Sequence, residues 1–244
     1  MRSFAPIGSM NATSASPLEL DGVSCAPAGA PALRGISLVF APGTLTVLQG
    51  DGKNLLLRLL GLLETPDAGD VLLNGAGTRH LAAGVRDALR NRHFGFLFAQ
   101  PFLLPAFTAI ENVAMPLFKI SGIDSDEARP RVHALLDFVG ATAFAHTPVG
   151  QLPLADQHRV ALARALANEP DFLIAENIDA AFPDGDLPHF AKLLRRAVVE
   201  QGVTVIASTA TQEFMPVADR VIEIGDGCVR RDTRAALAGG GASA

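Results

Sequence analysis

Tryptophan and tyrosine are absent from this 244-residue chain, which removes the strongest candidates for stacking on a flat aromatic ligand, although 14 phenylalanines remain. Cysteine is scarce. Cys25 and Cys228 are too few for a disulfide framework, and a reduced, cytoplasmic setting is the simplest expectation. No apolar run approaches the roughly 18 to 20 residues that cross a bilayer, so the chain is expected to be soluble or peripheral. A basic excess is missing too: 20 Lys and Arg face 25 Asp and Glu, a net charge of -5. A phosphate-binding surface would want the opposite balance, so no nucleic-acid partner is expected. No metal-ligand spacing joins the six histidines, and His158 reads as a surface residue. The first 17 residues lack the continuous core of a secretion signal and read as a flexible tail, with Met10 an alternative start.

What is present suffices for one domain with a full core, at 49% apolar residues. Short strands are predicted at Leu18–Leu20, Ile36–Phe40 and Thr44–Gln49, the last running into Gly50-Asp51-Gly52 and a buried helix over Lys53–Leu63. Such a strand, glycine loop and helix point a helix N-terminus at an anion. After strands at Val71–Leu73 and Phe94–Phe98, helices are predicted near Thr108–Ile120 and over Ser125–Gly140, where Pro130 should kink or delay the helix. An Ala/Leu/Val-rich helix spans Gln157–Ala167. Then strands (Phe172–Ala175, Thr204–Ser208, Arg220–Ile224) alternate with helices (Leu187–Gln201, and one near Gln212–Val217). Repeated strand–helix units argue a mostly parallel sheet covered by helices. The Ala/Gly-rich end, 234–244, reads as a second flexible tail.

Three stretches resemble one family. G-F-L-F-A-Q-P-F-L-L-P-A-F-T-A-I-E-N-V-A-M-P-L (Gly95–Leu117), R-V-A-L-A-R-A-L-A-N-E-P (Arg159–Pro170) and A-D-R-V-I-E-I-G-D-G (Ala218–Gly227) are similar to ATP-binding-cassette (ABC) transporter ATPases of the lipoprotein-release and macrolide-export type. The resemblance spans about Leu18 to Val229. It implies a P-loop NTPase core with an N-terminal antiparallel β part and a helical subdomain at about 101–155, within a domain over 18–233. It also implies a second ABC subunit as homo- or heterodimer partner, and an integral-membrane permease (FtsX-like or related) docking on 99–117 at the inner face of the membrane.

The same resemblance locates the family's site residues, and most are replaced. Gly50 matches the first glycine of G-x-x-x-x-G-K-[ST], yet only Asp51 precedes Gly52-Lys53, so part of the backbone phosphate cradle is missing. Asn54 replaces the Mg²⁺-holding hydroxyl. No aromatic stands near Ala26-Pro27, where the family stacks adenine. The Q-loop glutamine falls at Ala99, with Gln100 one place later. The signature LSGGQ becomes Leu152-Pro153-Leu154-Ala155-Asp156, which deletes a hydroxyl and a backbone N–H. Glu176 stands at the Mg²⁺-ordering carboxylate, while Asn177 and Ala210 occupy the catalytic Glu and His positions; Asp179 comes two places late.

Removing one transition-state group typically costs about 10²–10³ in rate, and here several are gone together. The expectation is an ABC subunit that is catalytically degenerate, binding ATP weakly and Mg²⁺ poorly. Gly50, Asp51, Gly52, Lys53, Asn54, Gln100 and Glu176 form its candidate nucleotide site, and Asn54 and Glu176 its candidate Mg²⁺ ligands. Two readings compete with it: a working ATPase with relaxed motifs using Lys53, Glu176 and Gln100, and a stand-alone regulatory module.

Overall fold

The computed structural model describes residues 17–29, 31–182 and 185–233; apart from Pro17, both expected tails lie outside them. Two sheets organise the chain. The first has the order β2-β1-β4-β5 and is antiparallel, built from β1 (Leu18–Cys25), β2 (Leu33–Phe40), β4 (Ala68–Leu73) and the two-residue β5 (Ala76–Gly77). Leu18 and Leu20 of β1 point inward in period two, and after an irregularity that shifts the phase by one residue so do Val23 and Cys25. They share a core with five leucines of helix α1 (Lys53–Leu60), each contributing roughly 1.5–3 kcal/mol by leaving water.

The second sheet has six strands in the order β10-β9-β3-β8-β7-β6. β3 (Leu45–Gly50), β6 (Phe94–Phe98), β7 (Phe172–Glu176), β8 (Thr204–Ser208) and β9 (Arg220–Gly225) run parallel, and β10 (Cys228–Asp232) closes one edge antiparallel. Because β3, β8 and β7 are neighbours, the loops leaving their C-terminal ends meet at one place, where open parallel sheets hold ligands. Helices α3 (Ala109–Pro116), α4 (Ser125–Phe138), α5 (Leu154–Leu166) and α6 (Leu187–Gln201) bury their apolar faces in a second cluster with this sheet.

Several helices differ from expectation for local reasons. α3 ends at Pro116, which supplies no N–H, and the chain continues as a π-helical turn over Leu117–Ser121. α4 runs through Pro130 without delay: Asp124 caps it by accepting from the Asp126 and Glu127 amides, each at 3.0 Å, and Pro130 faces solvent. α5 begins at Leu154, three residues early, with Pro153 as its N-cap, a position that needs no N–H. Where a helix was expected near Gln212–Val217 there is only a 3₁₀ turn, Met215–Val217, held to that length around Pro216. Helix α2 (Ala83–His93) buries no residue, so no apolar period announces it in the sequence.

Candidate functional site

The turn from β3 into α1 is closed upon the chain's own backbone. Gly50 and Gly52 both hold left-handed conformations, φ 84° and 85°. A Cβ on Gly50 would come within 2.0 Å of the Ile224 carbonyl oxygen, and one on Gly52 within 3.0 Å of the Leu33 side chain. The Asp51 amide donates to that same Ile224 oxygen at 3.0 Å. These glycines therefore let β3 pack tightly against β9, and one amide that a phosphate cradle would use is already spent. Asp51 is exposed; Lys53 and Asn54, opening α1, are half-buried.

A second feature is a polar chain that sequence reasoning missed. The Ser208 hydroxyl donates to Asn54 Oδ1 at 2.8 Å and accepts from the Asn177 amide at 2.9 Å. It joins α1, the end of β8 and the end of β7. Beside it, Asp179 Oδ2 accepts from the Ala210 amide at 3.0 Å, linking the loops after β7 and β8; Asp179 Oδ1 is buried without a hydrogen-bond partner among the described residues. Asn177 itself sits left-handed, φ 50°. The signal for Ser208 was only its place at a strand end. Glu176 lies at the mouth of β7, and burial pushes its carboxyl above the usual range, partly opposed by Arg58.

The remaining positions make no hydrogen bond with this polar chain among the described residues. Near Ala26, where no ring is present, the backbone amide is bound by Asp67 at 2.8 Å, and the neighbouring Cys25 thiol is pushed up by burial and then by Asp67 and Glu64. Gln100 is exposed, a solvated loop residue. Leu154 and Ala155 of the signature segment lie in the first turn of α5, with Leu154 45% exposed.

His158 corrects the expectation of a surface role. It is fully buried, its ring facing Phe182 and Phe190, with Nδ1 2.9 Å from the Leu154 oxygen and Nε2 3.0 Å from the Ala99 oxygen. One turn and a half further along α5, Arg164 donates to the Pro101 and Phe102 carbonyls at 2.8 and 2.7 Å. Together these two side chains fasten the loop that follows β6 to α5. Asn112 does the same for the next stretch: buried in α3, it accepts from the Leu104 amide and donates to the Leu104, Phe107 and Thr108 carbonyls. Thr108 and Glu111 form a reciprocal capping box that starts α3.

Beyond this fastened loop lies a cleft of about 440 Å³. Its floor is a run of phenylalanines on the edge strand β6, with the Phe96 and Phe98 rings stacked at 5.9 Å and Phe102 meeting Phe98 edge-on at 5.6 Å. Phe102 is 61% exposed, and Leu104, Phe107, Phe118 and Ile120 also stand in solvent nearby in sequence.

A parallel sheet delivering a glycine turn into a helix N-terminus, flanked by an antiparallel sheet and further helices, defines the P-loop nucleotide-binding cassette class. The chain belongs to the ABC transporter family, whose model matches residues 33–178. It is similar to the lipoprotein-releasing system ATP-binding protein LolD of Maricaulis maris (strain MCS10), 41% identical over 205 residues, 81% of this chain and 87% of that one. The macrolide export ATP-binding/permease protein MacB of Syntrophobacter fumaroxidans (strain DSM 10017 / MPOB) is 37% identical over 213 residues, 84% of this chain and 29% of the longer relative. Among solved structures, the dimeric post-hydrolysis state of the cassette MJ0796 bound to ADP and Pi superposes with a TM-score of 0.78 at 29% identity, covering 88% of this chain and 97% of that one.

Proposed function

We propose that this chain is a nucleotide-binding-type subunit of a lipoprotein-release-like ABC transporter that has given up ATP turnover and serves as a structural or regulatory partner of a permease. The observation that carries the reading is the Gly50-Asp51-Gly52 turn, closed on Ile224 and Leu33 with an acidic side chain at its tip. Mg²⁺–ATP does not fit the residues present. The Asp51 amide is occupied, Asn54 Oδ1 accepts from Ser208, and Asn177 offers an amide where a carboxylate would polarise water.

The chain would dock on the permease through the 99–117 region, where the phenylalanine-floored cleft and its fastened loop support an interface. Pairing with an intact second subunit would impair both composite sites, since Pro153-Leu154-Ala155 cannot replace the hydroxyl and close backbone approach of a signature. The competing reading, hydrolysis with relaxed motifs, is favoured by Lys53 at the start of α1 and Glu176 at the end of β7. Titrating a fluorescent nucleotide against wild type and Lys53→Ala separates the two: a saturable signal lost in Lys53→Ala supports the active enzyme. Co-purification of a membrane permease with the tagged chain supports docking, and its absence supports a free-standing module.

A further inference from the structure

We infer that a cavity between α4, α5 and α6 binds a small organic anion, a carboxylate or phosphate ester carried on a single ring or a short apolar chain. The inference is independent of the docking and nucleotide readings above, because none of the residues it uses lies in the cleft beside β6 or in the polar chain around Ser208.

The cavity has a volume of about 280 Å³ and lies where the C-terminal end of α4 meets the first turns of α5 and α6. That is just below the roughly 300–1,000 Å³ of pockets for drug-sized ligands, so its occupant is small. One wall is apolar. Phe138, Phe182 and Phe190 are buried, the Phe182 and Phe190 rings lie 4.7 Å apart, and the buried His158 ring packs on Phe182 at 5.2 Å. Ala155, in the segment that departs from LSGGQ, contributes to the same lining.

The charged groups of the lining are unequally satisfied. Arg196 binds Glu200 through Nε and Nη2 at 2.8 and 3.1 Å, donates from Nη1 to the Phe138 carbonyl at 3.3 Å and lies 4.8 Å over the Phe138 ring. It is a fixed part of the wall. Half-buried Arg159 differs: its one carboxylate contact among the described residues is Asp156 at 3.7 Å, beyond hydrogen-bond range. Lys192, one turn before Arg196 on α6, has neither an ion pair nor a hydrogen bond among the described residues. Two carboxylates also reach the cavity. Asp137 acts on Arg196, which leaves Asp186 alone in the lining against Arg159 and Lys192.

A neutral apolar molecule would cover the phenylalanines and strip water from Arg159 without giving it an acceptor. An organic cation would add to a surplus of its own sign, and an inorganic anion would leave the aromatic wall unused. An anion on an apolar body satisfies both parts of the lining. Its head supplies the acceptors that the Arg159 guanidinium and the Lys192 ammonium lack, and carboxylate and phosphate both match the guanidinium fork.

The test titrates the full chain with phenylacetate, phenyl phosphate, inorganic phosphate, 2-phenylethanol and phenethylamine, followed by calorimetry and ligand-observed NMR. The expected result is one saturable site for a phenyl anion, about tenfold tighter than for the alcohol or inorganic phosphate, with the amine weakest. Preference for phenylacetate supports a carboxylate occupant, and preference for phenyl phosphate supports a phosphate ester. About 1 M salt should close the gap between anion and alcohol. Lys192→Ala, at an exposed position that leaves the fold intact, should weaken the anion about threefold to tenfold and leave the alcohol unchanged, as should Arg159→Gln. Lys119→Ala, in the cleft beside β6, should change nothing. Equal binding of anion and alcohol would overturn the inference. So would anion binding that is lost in Lys119→Ala and kept in Lys192→Ala, or failure of both phenyl anions to saturate by about 10 mM.

Discussion

Two loop clusters of this molecule face opposite fates. At the ends of β3, β7 and β8 the loops turn inward: Asp51 bonds to Ile224, Asn54 to Ser208, Ser208 to Asn177 and Asp179 to Ala210. Beyond the edge strand β6 the loop is held from behind by His158, Arg164 and Asn112, so that Phe102, Leu104 and Phe107 face outward. One cluster bonds largely within itself, Asp179 Oδ1 excepted; the other presents apolar side chains to solvent. The same fold thus carries an inward-bonded loop cluster and an outward-facing one, and function must be argued separately for each.

Breaking the brace should have the largest effect on stability. Asn112→Ala removes a side chain that bonds four backbone groups and should cost about 2–3 kcal/mol, leaving the Leu104 amide without its acceptor while the three carbonyls keep their backbone donors. Urea unfolding checks the loss, and permease recovery should fall with it. Ser208→Ala opens the inward cluster and should cost about 1–2 kcal/mol while leaving permease recovery unchanged. Equal effects of the two variants on recovery would erase the contrast between the clusters. Thr108→Ala removes the α3 cap, at about 1 kcal/mol in the same unfolding assay.

The smallest effects are in pH dependence, and the two clusters should differ in sign. Glu176 is held above the ordinary carboxylate range by burial, so between that range and its raised value the native state keeps a proton the unfolded chain has lost. Stability attributable to Glu176 therefore falls as pH rises through that window. Glu111 is held below the range by the Thr108 hydroxyl and amide, so its contribution is present above the ordinary range and lost as pH falls through the lowered value. Denaturation midpoints across about pH 3 to 7 for Glu176→Gln and Glu111→Gln should remove slopes of opposite direction.

The framework was legible because its signals are periodic or punctuated. Phe94–Phe98, Leu187–Gln201 and Thr204–Ser208 take the bounds that an aromatic run, a helical apolar face and a β-branched run predict. α2 escaped because it buries nothing, and β10 because Cys228–Asp232 is a polar edge strand with no buried residue. At the site, the replaced motif positions could be located by their neighbours, but their new partners could not. Ser208 and His158 bond to groups distant in sequence, and a polar residue destined for a carbonyl 59 positions away looks the same as one destined for water. Pro153 was readable as the loss of an N–H; that it would become the N-cap of α5 was a tertiary outcome.

Phosphate release by the purified chain under saturating Mg²⁺–ATP, measured with nucleotide affinity in the same preparation, addresses the closed site most directly. The expected result is release indistinguishable from the protein-free control and no change in Lys53→Ala. Steady turnover that Lys53→Ala or Glu176→Ala abolishes would contradict it.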